Sequence, residues 1–206
     1  MAPIDRSCGS PSASGRFGGD AGLAAAAGRR EPAAQRELVE RVLDQTRRVV
    51  GYVVGGRGDA DDVVQIALIQ ILGAAAAFRG DCTLEFWATR IAVRTAIREL
   101  RRRRRRETAS ELVDGNPGTA APADEEAQAR GVRARLAAAL GKLTPERRVA
   151  VVLHHVEGYG IPEIATMTEA PINTVRDRLR TGRRQLRRRI LADPALRGWL
   201  ETGQRG

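Results

Sequence analysis

The chain has little cysteine, few aromatic residues, a single lysine and no stretch of alternating strand pattern. Its two cysteines, Cys8 and Cys82, are isolated. Neither has a Cys or His neighbour at metal-ligand spacing, which excludes a disulfide framework and argues against a zinc cluster. A reduced, cytoplasmic chain without cofactor or metal is the simplest expectation. Aromatic residues make up only 3% of the chain. No helix therefore pairs a basic face with a broad Trp/Phe/Leu face, as a membrane-surface helix would. No apolar run approaches the ~20 residues of a membrane span. The first residues have no leucine-rich core ahead of a cleavage site, so a signal peptide is not expected. A Gly-rich phosphate loop after a strand is missing, as is a His–carboxylate–nucleophile grouping, so an enzyme is not expected either. His154 and His155 are adjacent on a helix and point in different directions. They read as one surface and one half-buried position rather than a metal site.

What the chain has is arginine. Lysine and arginine number 35 against 25 acids, for a net charge of +10. Lys142 is the only lysine. Such a charge suggests a polyanionic partner. The densest stretch is Thr174–Ile190, TVRDRLRTGRRQLRRRI, with eight arginines and one aspartate. Val175, Leu179, Leu186 and Ile190 recur there at roughly helical spacing. An apolar stripe backed by guanidinium groups lets a helix dock on a small domain and present a cationic face to phosphates. Just upstream, IPEIATMTEAPIN reads as a short helix, a turn and the start of a second helix. Together they form a helix-turn-helix pattern whose second helix suits a DNA major groove.

The rest of the chain divides by composition. Residues 1–34 are rich in Gly, Ala and Ser and are expected to be a disordered extension. Residues 35–106 read as a helical unit. Leu38, Val42, Val49, Val50 and Val53 mark its first helix, which GGRG ends. Asp59 can cap a second helix, with Val63, Ile66, Ala67, Ile69 and Leu72 on its apolar side. Thr83 can cap a third, through Trp87, Ile91, Ile97 and Leu100 into Arg101–Arg106. Residues 107–130 read as a flexible linker, because Glu107–Glu126 holds six acids, two prolines and no base. Residues 131–191 form a second helical unit, in which Thr144-Pro145-Glu146 is a helix start and EGYG a stop. Residues 192–206 are a tail. The fold class expected is all-α: two small helical domains joined by a flexible acidic linker, the second containing the helix-turn-helix.

Two segments, GDADDVVQIALIQILGAAAAFRGDCTLEFWATRIAVRTAIRELRRRRR and LTPERRVAVVLHHVEGYGIPEIATMTEAPINTVRDRLRTGRRQLRR, resemble in order and separation the extracytoplasmic-function sigma factors of bacterial RNA polymerase. The resemblance covers about residues 35–190. It implies a first unit that binds core RNA polymerase and the minus-10 promoter element, and a second that binds the minus-35 element. It also implies promoter DNA as a partner and, as members of that family often have, an anti-sigma protein.

Asp59-Ala60-Asp61-Asp62-Val63-Val64-Gln65 looks like the family's polymerase-binding helix. Asp61, Asp62 and Gln65 share one face at helical spacing. A carboxylate pair on a basic protein suits arginines on another protein, although acids at a helix start also favour its dipole. Phe78–Trp87 looks like the family's loop that captures an unpaired promoter base. Arg79, Asp81 and Thr83 are its candidate contacts, while Trp87 falls in line with Ile91 and reads as core. Arg90, Arg94 and Arg98 make a basic stripe for minus-10 phosphates. Here the chain departs from the family, which often has Asn at the position of Arg94 and Asp at that of Arg98. On the second unit, Thr174 starts the recognition helix and can reach a phosphate. Arg176, Arg180, Arg183 and Arg184 can reach the groove, where arginine binds guanine through two parallel hydrogen bonds. Asp177 either accepts from cytosine or holds Arg180 or Thr181. Arg187, Arg188 and Arg189 read as phosphate contacts. The competing reading is an arginine-rich DNA- or RNA-binding regulator without sigma activity. It accounts for the charge but not for DADDVVQ or the two-unit plan.

Overall fold

The computed structural model describes residues 17–54, 57–110 and 125–203. Among them the chain is all helical, with no strand. The helices are α1 (Asp20–Gly28), α2 (Pro32–Val54), α3 (Arg57–Ala74), α4 (Leu84–Ser110), α5 (Glu125–Gly141), α6 (Pro145–His155), α7 (Ile161–Thr168), α8 (Ile172–Ala192) and α9 (Pro194–Gly203). A short 3-10 turn, Ala75–Ala77, follows α3.

The first unit is built on α2, α3 and α4, which pack against one another. Leu38, Val42, Val49, Val50 and Val53 all point inward from α2, as their helical spacing requires. Alanines 88, 92 and 96 on α4 are fully buried and allow a close helix crossing. Two corrections to the sequence reading arise on α3. The window Ala60–Ala77 is long and apolar enough by length and composition to cross a membrane, contrary to the expectation that no run approaches that length. Its mean hydropathy tolerates Gln65 and Gln70. Here one face of it packs against the bundle, with Val63, Val64, Ala67 and Ile71 buried, and Gln70 Oε1 accepts a 2.7 Å hydrogen bond from Thr95. Ile69, expected on the apolar side, is instead 62% exposed.

The boundaries also shift. Residues 20–34, expected to be disordered, form α1 and the start of α2. Leu23, Ala24, Ala26 and Ala27 of α1 are buried with Leu38, Ile71, Phe78, Leu84 and Trp87. Composition misleads there because small side chains bury little area each and gain their contacts by close approach. A Cβ on Gly28 would lie only 2.7–2.8 Å from Ala76. At the linker, α4 continues to Ser110 and α5 begins at Glu125, so the helices enter both ends of the expected 107–130 segment. The remaining expectations for residues 1–16, 111–124 and 204–206 lie outside the described residues. The expected tail carries α9, where Asp193 accepts from the backbone N–H groups of Ala195 and Leu196 and Leu196 is buried.

The second unit, α5–α9, is not held at a distance from the first. Leu140, Leu143, Val149, Val152, Tyr159, Ile164 and Met167 join Val49, Val50, Val53, Val63 and Val93 in one continuous core. Arg148 of α6, 5% exposed, donates to Val53 O at 2.6 Å and Val54 O at 3.2 Å, and to Gly141 O at 2.6 Å. It thereby caps the ends of α2 and α5, where carbonyls lack helical partners and the dipole is negative. Arg48 forms a two-pronged bond to buried Glu157 at 2.9 and 3.1 Å, and Gln45 donates to the Tyr159 hydroxyl at 2.7 Å. Glu157 and Tyr159 belong to the EGYG stop, so this turn is also a docking point for α2.

Candidate nucleic-acid interface

Three surfaces carry the residues singled out in the sequence. The first is the outer face of α3. Asp61, Asp62 and Gln65 are all exposed, and Ile69 extends the row one turn further. Sequence reasoning missed Ile69 because a helix-spaced isoleucine ordinarily reads as core. The row combines two carboxylates, an amide and an apolar side chain, a mixture that suits a protein partner better than phosphate.

The second surface runs from the loop after the 3-10 turn along α4. Phe78 is buried against Trp87, ring centroids 5.3 Å apart, so both anchor the loop from inside. Arg79 and Asp81 are exposed. Thr83 Oγ1 accepts from Phe86 N at 3.2 Å, which makes it the cap of α4. Its hydroxyl proton remains available to donate. Cys82 is half-buried with a free thiol, whose pKa burial pushes up against an opposing pull from Arg90.

The three stripe arginines separate. Arg90 is half-buried. Arg98 is exposed. Arg94 is held by the second unit. It donates to Met167 O at 3.0 Å and Thr166 O at 3.3 Å, and pairs with Glu169 at 2.8 Å. Thr166 and Met167 lie in the last turn of α7, so their carbonyls are orphans of the kind a guanidinium caps. Burial pulls the Arg94 pKa down, Glu169 opposes this and Arg90 adds to it. Beside this contact lies a cleft of about 960 Å³ between α4 and the helix-turn-helix, where Arg94, Arg98, Arg101, Arg102, Arg105 and Arg178 face Glu146 and Glu169. The α4 members follow from helical spacing. Arg178 had no signal in the sequence, because only the fold brings α8 to α4. Arg101 bonds Glu146 at 2.9 Å. Burial of the Glu146 carboxyl would raise its pKa, but its hydrogen bonds and the charges of Arg101 and Arg178 hold it below the ordinary value.

The third surface is α8. Pro171 caps it and the helix starts at Ile172, two residues ahead of the expected Thr174, which is half-buried in the first turn. α7 begins with Glu163 accepting from Gly160 N at 2.6 Å and ends with Glu169 in the left-handed region, φ 52°. That turn sets the angle between α7 and α8. Val175 is fully buried. Gly182 sits where α8 crosses α6, and a Cβ there would come within 2.9 Å of Val151 and 3.2 Å of Arg147 O. Sequence reasoning missed Gly182 because a glycine inside a helix ordinarily reads as a weak point. Outward from this contact, Arg176, Asp177, Arg180, Arg183 and Arg184 are all exposed. Arg176 donates to Asn173 at 2.8 Å, and Asp177 pairs with Arg180 at 2.9 Å, which is one of the two roles open to it. Arg180, Arg183, Arg184, Arg187 and Arg188 line an opening of about 370 Å³ with Leu191. His154 is half-buried and bonds Tyr159 O at 2.9 Å, while His155 is exposed.

Comparisons with known proteins match the two helical units in order. Residues 38–106 match the family model Sigma-70 region 2, and residues 133–186 match Sigma-70, region 4. The chain is 33% identical over 153 residues to the ECF RNA polymerase sigma factor SigE of Mycolicibacterium smegmatis, a match covering 73% of this chain but only 59% of that protein. It is 33% identical over 167 residues to the ECF RNA polymerase sigma factor SigM of Mycobacterium tuberculosis, covering 81% of this chain and 79% of that one. The solved structure of CnrH in complex with the cytosolic domain of CnrY superposes with a TM-score of 0.61 at 26% identity, over 84% of this chain and 98% of that chain.

Proposed function

Because the chain belongs to the extracytoplasmic-function sigma factors of RNA polymerase, we propose that it binds core RNA polymerase and directs promoter recognition and transcription initiation. The observation that carries this reading is the pair of sigma-70 matches, regions 2 and 4, in order on two helical units that present an acidic and a cationic face. The Asp61, Asp62, Gln65 and Ile69 face is the polymerase contact. The 79–83 loop and the α4 arginines serve the minus-10 element, and α8 serves the minus-35 element. The protein acts by binding, with no chemistry of its own, in the cytoplasm where its polymerase works. An anti-sigma partner belongs to the same reading; the CnrH–CnrY complex supports a protein partner for this fold. Since α7 occupies Arg94, the second unit must leave α4 before that arginine can meet a phosphate.

Run-off transcription with purified core enzyme on a promoter library tests the reading. Transcription from a defined promoter, abolished by changing its spacer by a few base pairs, is expected. The free chain, by contrast, should bind duplex DNA weakly, with steep salt dependence and little sequence preference. Tight, spacer-sensitive binding by the free protein without transcription would instead favour a DNA-binding regulator.

A further inference from the structure

We propose that α1 is the platform of the 78–83 loop, and that Asp20 and Gly28 are positioning residues for the capture of a promoter base. The proposal rests on the loop's proposed role in base capture. It begins from a buried acid that the sigma reading leaves without a task. Asp20 is 2% exposed. Its Oδ1 accepts from Arg41 Nη1 at 2.7 Å, and its Oδ2 faces Leu84 N at 3.4 Å. Leu84 is the first residue of α4 and the exit of the loop. Arg41 reaches on to Glu85 at 2.9 Å, so one guanidinium ties α2, α1 and the first turn of α4. A carboxylate set against the positive end of a helix and neutralised by a guanidinium is stable there despite its burial.

The other end of α1 holds the loop's entry. Gly28 lies so close to Ala76 of the 3-10 turn that a Cβ would come within 2.7 Å of its side chain and 2.8 Å of its backbone. Between these ends Ala21 lies under the tip. The Cβ of Ala21 is 3.7 Å from the place where Gly80 would carry one, and Gly80 has the positive φ of 77° that glycine adopts readily. One nine-residue helix thus touches the entry, the tip and the exit of the same short loop. A base pulled from its stack needs a pocket whose walls do not move, because orientation is lost when a recognition loop is free to drift. Arg79 and Asp81 are exposed on this loop, so their placement depends on its backbone, which α1 supports together with the Phe78–Trp87 contact and the Thr83 cap. The α1 contacts are the part of that support that comes from outside the loop and α4.

The test uses holoenzyme assembled on core RNA polymerase. It measures the ratio of promoter opening, by permanganate reactivity, between the preferred and the substituted base at each minus-10 position. A smaller folded fraction lowers opening on every promoter alike and leaves this ratio unchanged, so the ratio reports loop geometry. Asp20→Asn keeps the shape of the side chain and loses the charge. Arg41→Gln removes the same pair from a partly exposed position and serves if Asp20→Asn does not fold. Gly28→Val pushes on the entry. The expected result is a fall of about tenfold in the ratio at one position for all folded variants, matching that of Asp81→Ala within the loop. If Arg79→Ala and Asp81→Ala move the ratio while the platform variants leave it at the wild-type value, the platform is refuted and the loop reading survives. If neither loop variant moves it, the loop is not the reader and the platform's role falls with it.

Discussion

Removing the Arg148 guanidinium gives the sharpest test of how the two units are joined. Arg148→Met keeps the aliphatic stem and the volume but deletes the donors to Val53, Val54, Gly141 and Leu143. The two 2.6 Å contacts are charge-assisted and worth about 1.5–3 kcal/mol each, and losing them leaves the buried Val53 carbonyl without this donor. Against this, the variant no longer holds a cation out of water, a relief of several kcal/mol in the limit of full burial. Since the guanidinium caps two helix ends rather than one, the loss wins, and we expect a net destabilisation of about 3 kcal/mol. Urea unfolding followed by circular dichroism measures it. The same change weakens the link between α6 and the end of α2, while the shared core and the Arg48–Glu157 pair still join the units, so unfolding should stay a single transition at a lower midpoint. Arg147→Met is the control, because among the described residues the Arg147 guanidinium bonds only Gln185, at 3.5 Å. It should shift stability by no more than about 0.5 kcal/mol. A loss below about 1 kcal/mol for Arg148→Met would refute the claim that this buried cation helps to join the units.

Three further outcomes follow from the same structure. Reversing Asp61 and Asp62 to arginine should weaken core polymerase binding while leaving the helical spectrum intact, since both side chains are exposed; wild-type affinity in a folded variant would remove α3 as the contact. Alanine at Arg176 or Arg180 should cost about 1–3 kcal/mol at its own minus-35 base and relax preference there, whereas alanine at Arg188 should weaken all sequences alike. Quantitative binding of holoenzyme to single-base variants separates the two, and a uniform loss from all three would make α8 an electrostatic clamp only. Although His155 is exposed by surface area, partial desolvation of its ring, with the charges of His154 and Arg183, holds it below its ordinary value of 6.5. The unfolded chain therefore binds the proton more readily, so stability is lost as pH falls below 6.5 and levels off beneath the folded value. His155→Gln should flatten that part of the pH–stability curve, and an unchanged curve would mean that His155 does not contribute.

The sequence by itself determined the helical class, the two units and the character of each surface. These rest on local rules. The 3.6-residue period of Leu38, Val42, Val49 and Val53 is legible in any window, as is the cap at Thr83 and the Pro145 start. The arginine density of α8 cannot be buried, so its outward face was settled before any fold was known. Family resemblance assigned Asp61, Asp62 and Gln65 to an exposed face of α3, and they are exposed. What only the tertiary structure decided are contacts between distant segments. α1 was missed because alanine carries no amphipathic signal, and its burial depends on Gly28 meeting Ala76 across the fold. Ile69 was placed inside because its spacing suited the core, yet α2 and α4 leave that side of α3 uncovered. Arg94 reads as a phosphate contact on an isolated helix. Only the docking of α7 offers it the carbonyls of Thr166 and Met167. Arg148 follows a helix-start signal that says nothing of its partners, and becomes the most enclosed cation among the described residues because two helix ends converge on it. A local pattern specifies which way a side chain faces on its own helix, but the partner it finds there is set by packing that the pattern does not encode.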